Sequence, residues 1–222
     1  ILRIFLVFDQ VCKEHGLRYS VTGGTELGAV RHKGFIPWDD DLDCGMPRPD
    51  YELFRKHANE WLPEPYEFVC PENDPDYPLS FGKIQDKSTT LIERKHLYYL
   101  GGIYVDIFQL DGAPSCKVMQ FFHFFKYEFL KQSLYLAYRD PFKHGHGPAC
   151  WASLMAKHIL GRKWIQRNIR KTLTAYDFEE SKNVAYHTDG LRGIRPKPFF
   201  ADYADYEFEG HQIKGIKGYD VY

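Results

Sequence analysis

The sequence lacks most of the features that assign a protein to a class at once. No apolar run approaches the ~20 residues needed to span a bilayer. The opening Ile-Leu-Arg-Ile-Phe-Leu-Val-Phe is interrupted by Arg3 and has no small-residue cleavage site, which argues against a signal peptide. There is no CxxC pair, and the five cysteines (Cys12, Cys44, Cys70, Cys116, Cys150) are odd in number. This usage favours a reducing compartment without a disulfide framework, so a cytoplasmic location is expected. An excess of positive charge is also missing: 29 Lys and Arg oppose 30 Asp and Glu, a formal net charge of −1. A general nucleic-acid binder is normally basic, so no nucleic-acid partner is expected. Internal repeats and low-complexity tracts are absent. The chain also begins without Met, and a trimmed piece of something longer is expected.

What remains is an aromatic-rich chain. Phe, Trp and Tyr make up 17% of 222 residues, enough length for one substantial domain, or one with a large insertion, that needs no staples. Ile1, Ile4, Phe5, Phe8, Val11 and Cys12 recur at helical spacing, and Gly16 stops the helix. Residues 17–21 read as a short strand running into Gly23-Gly24-Thr25. Glu26 to His32 reads as a helix broken by Gly34 and Pro37. Residues 41–46 alternate as a half-buried strand does. Asp50 is placed to cap a helix reaching Trp61. After the Pro-rich loop 71–78, residues 80–86, 89–93 and 102–110 read as three strands. From Lys117 the texture becomes helical, with two long helices separated by the loop 143–147. From Val184 it is short, strand-like and rich in turns. The expected architecture is an α/β (α+β) core over 1–115, a helical insertion over 116–180 and a tail over 181–222 returning to the core.

One stretch poses a physical problem. In Gly-Phe-Ile-Pro-Trp-Asp-Asp-Asp-Leu-Asp-Cys-Gly-Met (34–46), four carboxylates occupy five positions between residues that look buried: Ile36, Trp38 and Leu42. Like charges so close repel, and burying one is costly unless it is neutralised. Strand alternation sends Asp41 and Asp43 one way while Leu42 and Cys44 enter the core. The same parity puts Ile103, Val105 and Ile107 on one face of 102–110 and Asp106 on the other, between Tyr104 and Phe108. The sequence thus offers three carboxylates on two strands that are able to converge on one point. An all-oxygen donor set suits a hard divalent cation, Mg²⁺ or Mn²⁺, that completes its shell with water and phosphate oxygens. Three plainer readings compete: a solvated acidic turn, an EF-hand-like loop (which lacks its glycine, Cys44 standing at the sixth position), and an ion-pair network with Arg31, Lys33 or Arg48.

Upstream, Gly23 and Gly24 stand between a strand and a helix. Glycine lets backbone N–H groups approach an anion, and a helix N-terminus favours negative charge. A Gly-Gly turn alone is weak evidence. Strand, Gly-Gly, helix, Asp-x-Asp and a later strand Asp together resemble the layout of the DNA polymerase beta-like nucleotidyltransferases. More closely, residues 20–54, 81–93 and 101–114 resemble successive blocks of the LicD family, the phosphocholine transferases and their fukutin-related relatives. The likeness covers residues 17 to about 114.

The resemblance implies a nucleotidyltransferase-like mixed sheet with Asp41, Asp43 and Asp106 as ligands of Mg²⁺. It implies that Gly23, Gly24 and Thr25 face the diphosphate of a CDP-linked alcohol, and that a phospho-alcohol of the phosphocholine type moves to a hydroxyl of a cell-envelope or lipid-linked glycan with release of CMP. Arg31 and His32 are candidates to neutralise phosphate, against a surface cation and a packed imidazole. Lys83 is a candidate phosphate ligand, or a partner for Asp86. Asp39 or Asp40 is the candidate general base, against a turn-capping role. Trp38, Tyr104 and Phe108 are candidates to wall the site. Nucleotidyl transfer releasing pyrophosphate, and a non-catalytic metal-stabilised binding module, are the alternatives. Elsewhere, zinc at His144, His146, Cys150 and His158 is weighed against a flexible loop. The basic segment 161–171 is read as a solvated face or as a peripheral contact with the inner face of the membrane. Phe-Phe-His-Phe-Phe (121–125) is expected in the core.

Overall fold

Helix α1 (Leu2–His15) buries Ile4, Phe5, Phe8, Val11 and Cys12 and ends at Gly16, whose φ of 65° is the left-handed conformation a helix stop uses. The structure is a computed structural model that describes residues 1–92, 97, 99–142 and 146–218. Strand β1 (Ser20–Val21) leads into α2 (Gly23–His32), which includes both glycines of the turn. Then come β2 (Asp43–Pro47) and α3 (Arg48–Trp61). Asp50 does not cap α3. The segment Pro47-Arg48-Pro49 starts the helix earlier, proline being preorganised for a first turn. The Asp50 carboxylate instead accepts from the backbone N–H and Nε of Arg18, at 3.0 and 2.9 Å.

Next are β3 (Tyr66–Val69), β4 (Gly82–Leu91) and β5 (Gly101–Ala113). β3 is not foreseen by the sequence pattern. The expected strands at 80–86 and 89–93 are one strand as far as Leu91, with a register shift after Asp86; Glu93 lies outside the described residues. Ser88 bends back onto Asp86, its N–H and hydroxyl donating to Oδ1 at 2.9 and 2.6 Å. A local polar turn thus sits inside one strand, which is why it reads as a break.

Helix α4 (Lys117–Tyr138) packs on α5 (Pro148–Met155) and α6 (Arg162–Leu173). The second long helix is therefore two, joined by a π-turn over Ala156–Leu160 and broken at Gly161, whose φ is 76°. Of the aromatic run on α4 only Phe124 is in the core; Phe121, Phe122 and Phe125 lie on the outward face, Phe122 being 64% exposed. With the core on one side of a helix, five consecutive residues cannot all face it. The tail forms β6 (Asn183–Tyr186), β7 (Ile194–Pro196) and the hairpin β8 (Tyr203–Phe208) to β9 (His211–Ile216).

The described strands form a seven-stranded mixed sheet running β1-β2-β5-β4-β3, with β6 on β5 and β7 on β6, beside the β8–β9 hairpin. This bears out the mixed α/β class. The main core lies between one sheet face (Leu42, Cys44, Met46, Ile84, Val105, Ile107) and α1 and α3, where Phe8 meets Phe54 edge-on at 5.3 Å.

The hairpin is tied to α2 by the buried Glu26, whose Oε1 accepts from the Ile216 N–H at 2.6 Å. Burial pushes the Glu26 carboxyl up to about 7, and the Ile216 hydrogen bond pulls the other way. The native carboxyl thus keeps its proton to a higher pH than the unfolded chain does, and its contribution to stability falls as pH rises from about 4.5 to 7. Glu26→Gln keeps the acceptor and removes the charge. In urea unfolding it should match wild type near pH 4 and exceed it at pH 8, by up to about 3 kcal/mol. A variant less stable than wild type at pH 8 would contradict this account.

Candidate active site

The face of the sheet opposite the core carries the acidic centre. β2 and β5 run parallel with Asp43 directly opposite Asp106, so the two carboxylates leave the sheet side by side at the ~4.8 Å strand spacing. Lys83, on the other flank of β5, pairs in register with Asp106. Its Nζ is 3.3 Å from Asp106 Oδ1 and 3.2 Å from the centre of the Tyr104 ring, and Lys83 is only 4% exposed. Lys83 on β4 and Asp106 on β5 share one rung and one face, so the lysine meets Asp106 and not Asp86 three residues along its own strand.

Burial raises the Asp43 carboxyl to about 8, with Asp106, Asp41 and Asp39 adding repulsion and Lys83 opposing them. Asp41 is also raised, first by burial and then by a hydrogen bond to Asp39. The ion-pair reading of the cluster does not hold for two of its cations. Arg48 binds Asp111 and Glu52, and Lys33 binds Glu207. Among the described residues, the buried cation in contact with the centre is Lys83. Four carboxylates still outnumber it.

The glycine turn packs against this cluster. A Cβ on Gly23, itself at φ 59°, would lie 3.6 Å from Asp43 Oδ2, and one on Gly24 would lie 2.5 Å from Asp39 Oδ2. Asp39 is half-buried and Asp40 exposed. Thr25 is buried, and its Oγ1 accepts from the Asp43 N–H at 2.9 Å, which fixes where β2 begins. Among the described residues no side chain caps the start of α2, and its first turn lies against the carboxylates. Gly24→Ala should therefore displace Asp39 and lower turnover about tenfold or more with little change in melting temperature. Unchanged turnover would separate the turn from the reaction.

Other expected contributors are not brought to this point. Arg31 and His32 are exposed at the far end of α2, roughly 10 Å along the helix from Gly24; the imidazole is not packed. Trp38 is 84% exposed instead of buried. It follows a proline in the turn between α2 and β2, where no element covers it. Phe108 packs on Phe81 with ring centres 4.4 Å apart, while the Tyr104 ring is occupied by Lys83. Of the proposed zinc set, His144 lies outside the described residues, and His158 is exposed while Cys150 is buried. Among the described residues no three His, Cys, Asp or Glu side chains gather into a group able to hold a metal by themselves. A pocket the sequence does not announce opens beside Lys83, lined also by Tyr77, Gln85, Leu97, Tyr99 and Tyr104. The parity of Gln85 with Lys83, and of Tyr104 with Asp106, is the one signal that points to it.

Two carboxylates on one rung, a buried lysine beside them and a glycine turn at a helix start are thus brought together on one face of a mixed sheet. Residues 16–142, more than half of the chain, match the family described as LicD/FKTN/FKRP, nucleotidyltransferase domain, and the chain belongs to that family. It is 29% identical to the lipopolysaccharide cholinephosphotransferase LicD of Haemophilus influenzae, over 98% of this chain and 83% of that protein. It is 50% identical to the human ribitol 5-phosphate transferase FKRP over 36 residues, 16% of this chain and 7% of that one. A segment covering 25% of the chain is 42% identical to the Rickettsia prowazekii protein RP689. The expectation of an enzyme, a LicD-type phosphotransferase, is borne out. Among the described residues no helix is long and apolar enough to cross a membrane.

Proposed function

We propose that this chain moves a phospho-alcohol, phosphocholine or a close analogue, from a CDP-linked donor to a hydroxyl of a surface glycan, releasing CMP. The observation that carries the reading is the side-by-side pair Asp43 and Asp106 beneath the Gly23-Gly24 turn. The names of two relatives support it, since one transfers phosphocholine to lipopolysaccharide and the other transfers ribitol 5-phosphate. A centre with four acids and one buried lysine repels a diphosphate. An anionic donor therefore reaches it only together with a divalent cation, and Mg²⁺ ordinarily uses one or two carboxylates plus phosphate oxygens. Asp43 and Asp106, side by side on one rung, fit that role. The ion would supply charge neutralisation of the phosphoryl oxygens.

The protein's own groups do the rest. The N–H groups of Gly24 and Thr25 grip the donor phosphates, and the Thr25 hydroxyl positions Asp43 through the backbone. Lys83 holds Asp106 and faces the donor, whose alcohol end takes the pocket beside it. Asp39, against Gly24, accepts the proton of the attacking hydroxyl. Purified protein with Mg²⁺, CDP-choline or CDP-ribitol, and lipopolysaccharide should release CMP in step with acceptor modification, and a chelator should stop it. Pyrophosphate released from CTP instead would make the chain a nucleotidyltransferase. Binding of CDP-choline without release of either product would make it a binding module.

A further inference from the structure

We propose that α5, the π-turn and the start of α6 form a face that docks on an anionic phospholipid surface. Trp151, Met155 and Ile159 recur every four residues along one side of this segment and are 71, 57 and 75% exposed. Trp164 follows beyond the Gly161 break and is half exposed, while Ser153, Ala156, Ile165 and Ile169 face inward. An outward row of two indoles and two aliphatic side chains is unfavourable in water. It suits the boundary between lipid headgroups and acyl chains, where Trp is enriched.

The charges point to the same partner. Between residues 148 and 171 there is no Asp or Glu, and there are six Lys and Arg. Two of the six turn inward. Arg162 lies over the Tyr138 ring and reaches Asp76 at 3.4 Å, and Arg170 pairs with Glu52 and Glu72. Lys157, Lys163, Arg167 and Lys171 remain exposed. Lys157, His158, Lys163 and Arg167 ring a shallow concavity around Gly161, with Trp164 on its rim. An anionic leaflet presents one sign of charge continuously. A row of apolar side chains flanked by cations of one sign matches the leaflet. The face lies on the membrane and not across it. It does not depend on the reaction at the acidic centre.

The test is co-sedimentation of the purified chain with vesicles of phosphatidylcholine alone, or with about one third phosphatidylglycerol. Two variants run beside it, Lys157→Glu with Lys163→Glu, and Trp151→Ala with Ile159→Ala. All four positions are exposed, so circular dichroism and melting should stay at wild-type values. Wild type should pellet with the anionic vesicles only and be released by high salt. The charge-reversal variant should bind about tenfold more weakly or less, and the apolar variant should be lost even at low salt. Failure of wild type to pellet with anionic vesicles would overturn the proposal, as would equal pelleting by both variants. So would a wild-type dimer that the same substitutions dissociate, because the face would then belong to a second copy.

Discussion

Asp43→Asn should abolish transfer and, in metal-free protein, raise the melting temperature. Asparagine keeps the shape of the side chain and removes one charge from a crowded centre. The Asp43 carboxyl is pushed up to about 8 by burial and by Asp106, Asp41 and Asp39. An acid whose pKa is raised in the folded state costs stability progressively as pH climbs from the unfolded value to the folded one. The gain from Asn should thus be absent below pH 4 and fully present above pH 8, on the order of 2 kcal/mol. Activity moves the other way. Loss of one of two paired carboxylates that hold charge at a phosphoryl centre should cost about a thousandfold or more in turnover. Added Mg²⁺ should raise the wild-type melting temperature more than that of the variant. A variant that keeps turnover, or melts lower than wild type without metal at pH 8, would sink the reading of this cluster as a strained functional site.

Lys83→Met should be among the most destabilising substitutions in the chain. Lys83 is buried against Asp106 and lies on the Tyr104 ring. Removing one partner of a buried ion pair leaves the other uncompensated, a loss of about 3–5 kcal/mol. Methionine preserves most of the side-chain volume, so the loss reports charge and not a cavity. The sign with pH is set by the carboxylates left behind. With the cation gone, they favour their protonated forms more strongly, so the deficit should be largest near pH 8 and shrink toward pH 5. Urea unfolding at the two pH values measures it. An equal deficit at both would mean that packing, not charge compensation, is what Lys83 provides.

These two results bear on how much of the site the sequence discloses. The in-out parity of Leu42 and Cys44 against Asp43, and of Val105 and Ile107 against Asp106, is legible because a strand's period of two comes from backbone geometry alone. The buried set agrees, all four apolar members being fully buried. Ile103, read on the same face, is 38% exposed near the start of β5. Expectations based on apolar character fared less well than those based on period. Trp38 and most of residues 121–125 look like core by composition, yet they lie outside it. Apolar side chains are common on surfaces, and only neighbouring elements decide which of them are covered.

The break at Gly161 and the end of α1 at Gly16 both involve glycine at positive φ, but only the second stands beyond an apolar pattern that marks the helix end. Register is the larger gap. Nothing local tells that Asp43 sits opposite Asp106, or that Lys83 sits opposite Asp106 rather than beside Asp86. Strand pairing is a property of residues far apart in the chain, and a slip of one position would move every side chain to the other face.

By itself, then, the sequence determined the alternation of chemistry along each strand, the glycine turn ahead of the acids and the family to which the chain belongs, because these are written in spacing between near neighbours. Tertiary structure alone decided that two acids share one rung, that a buried lysine answers them, and that Arg31 and His32 stand at the wrong end of α2 to join them. Those facts depend on which strand lies beside which, and the free energy that selects this arrangement comes from burying one sheet face against α1 and α3.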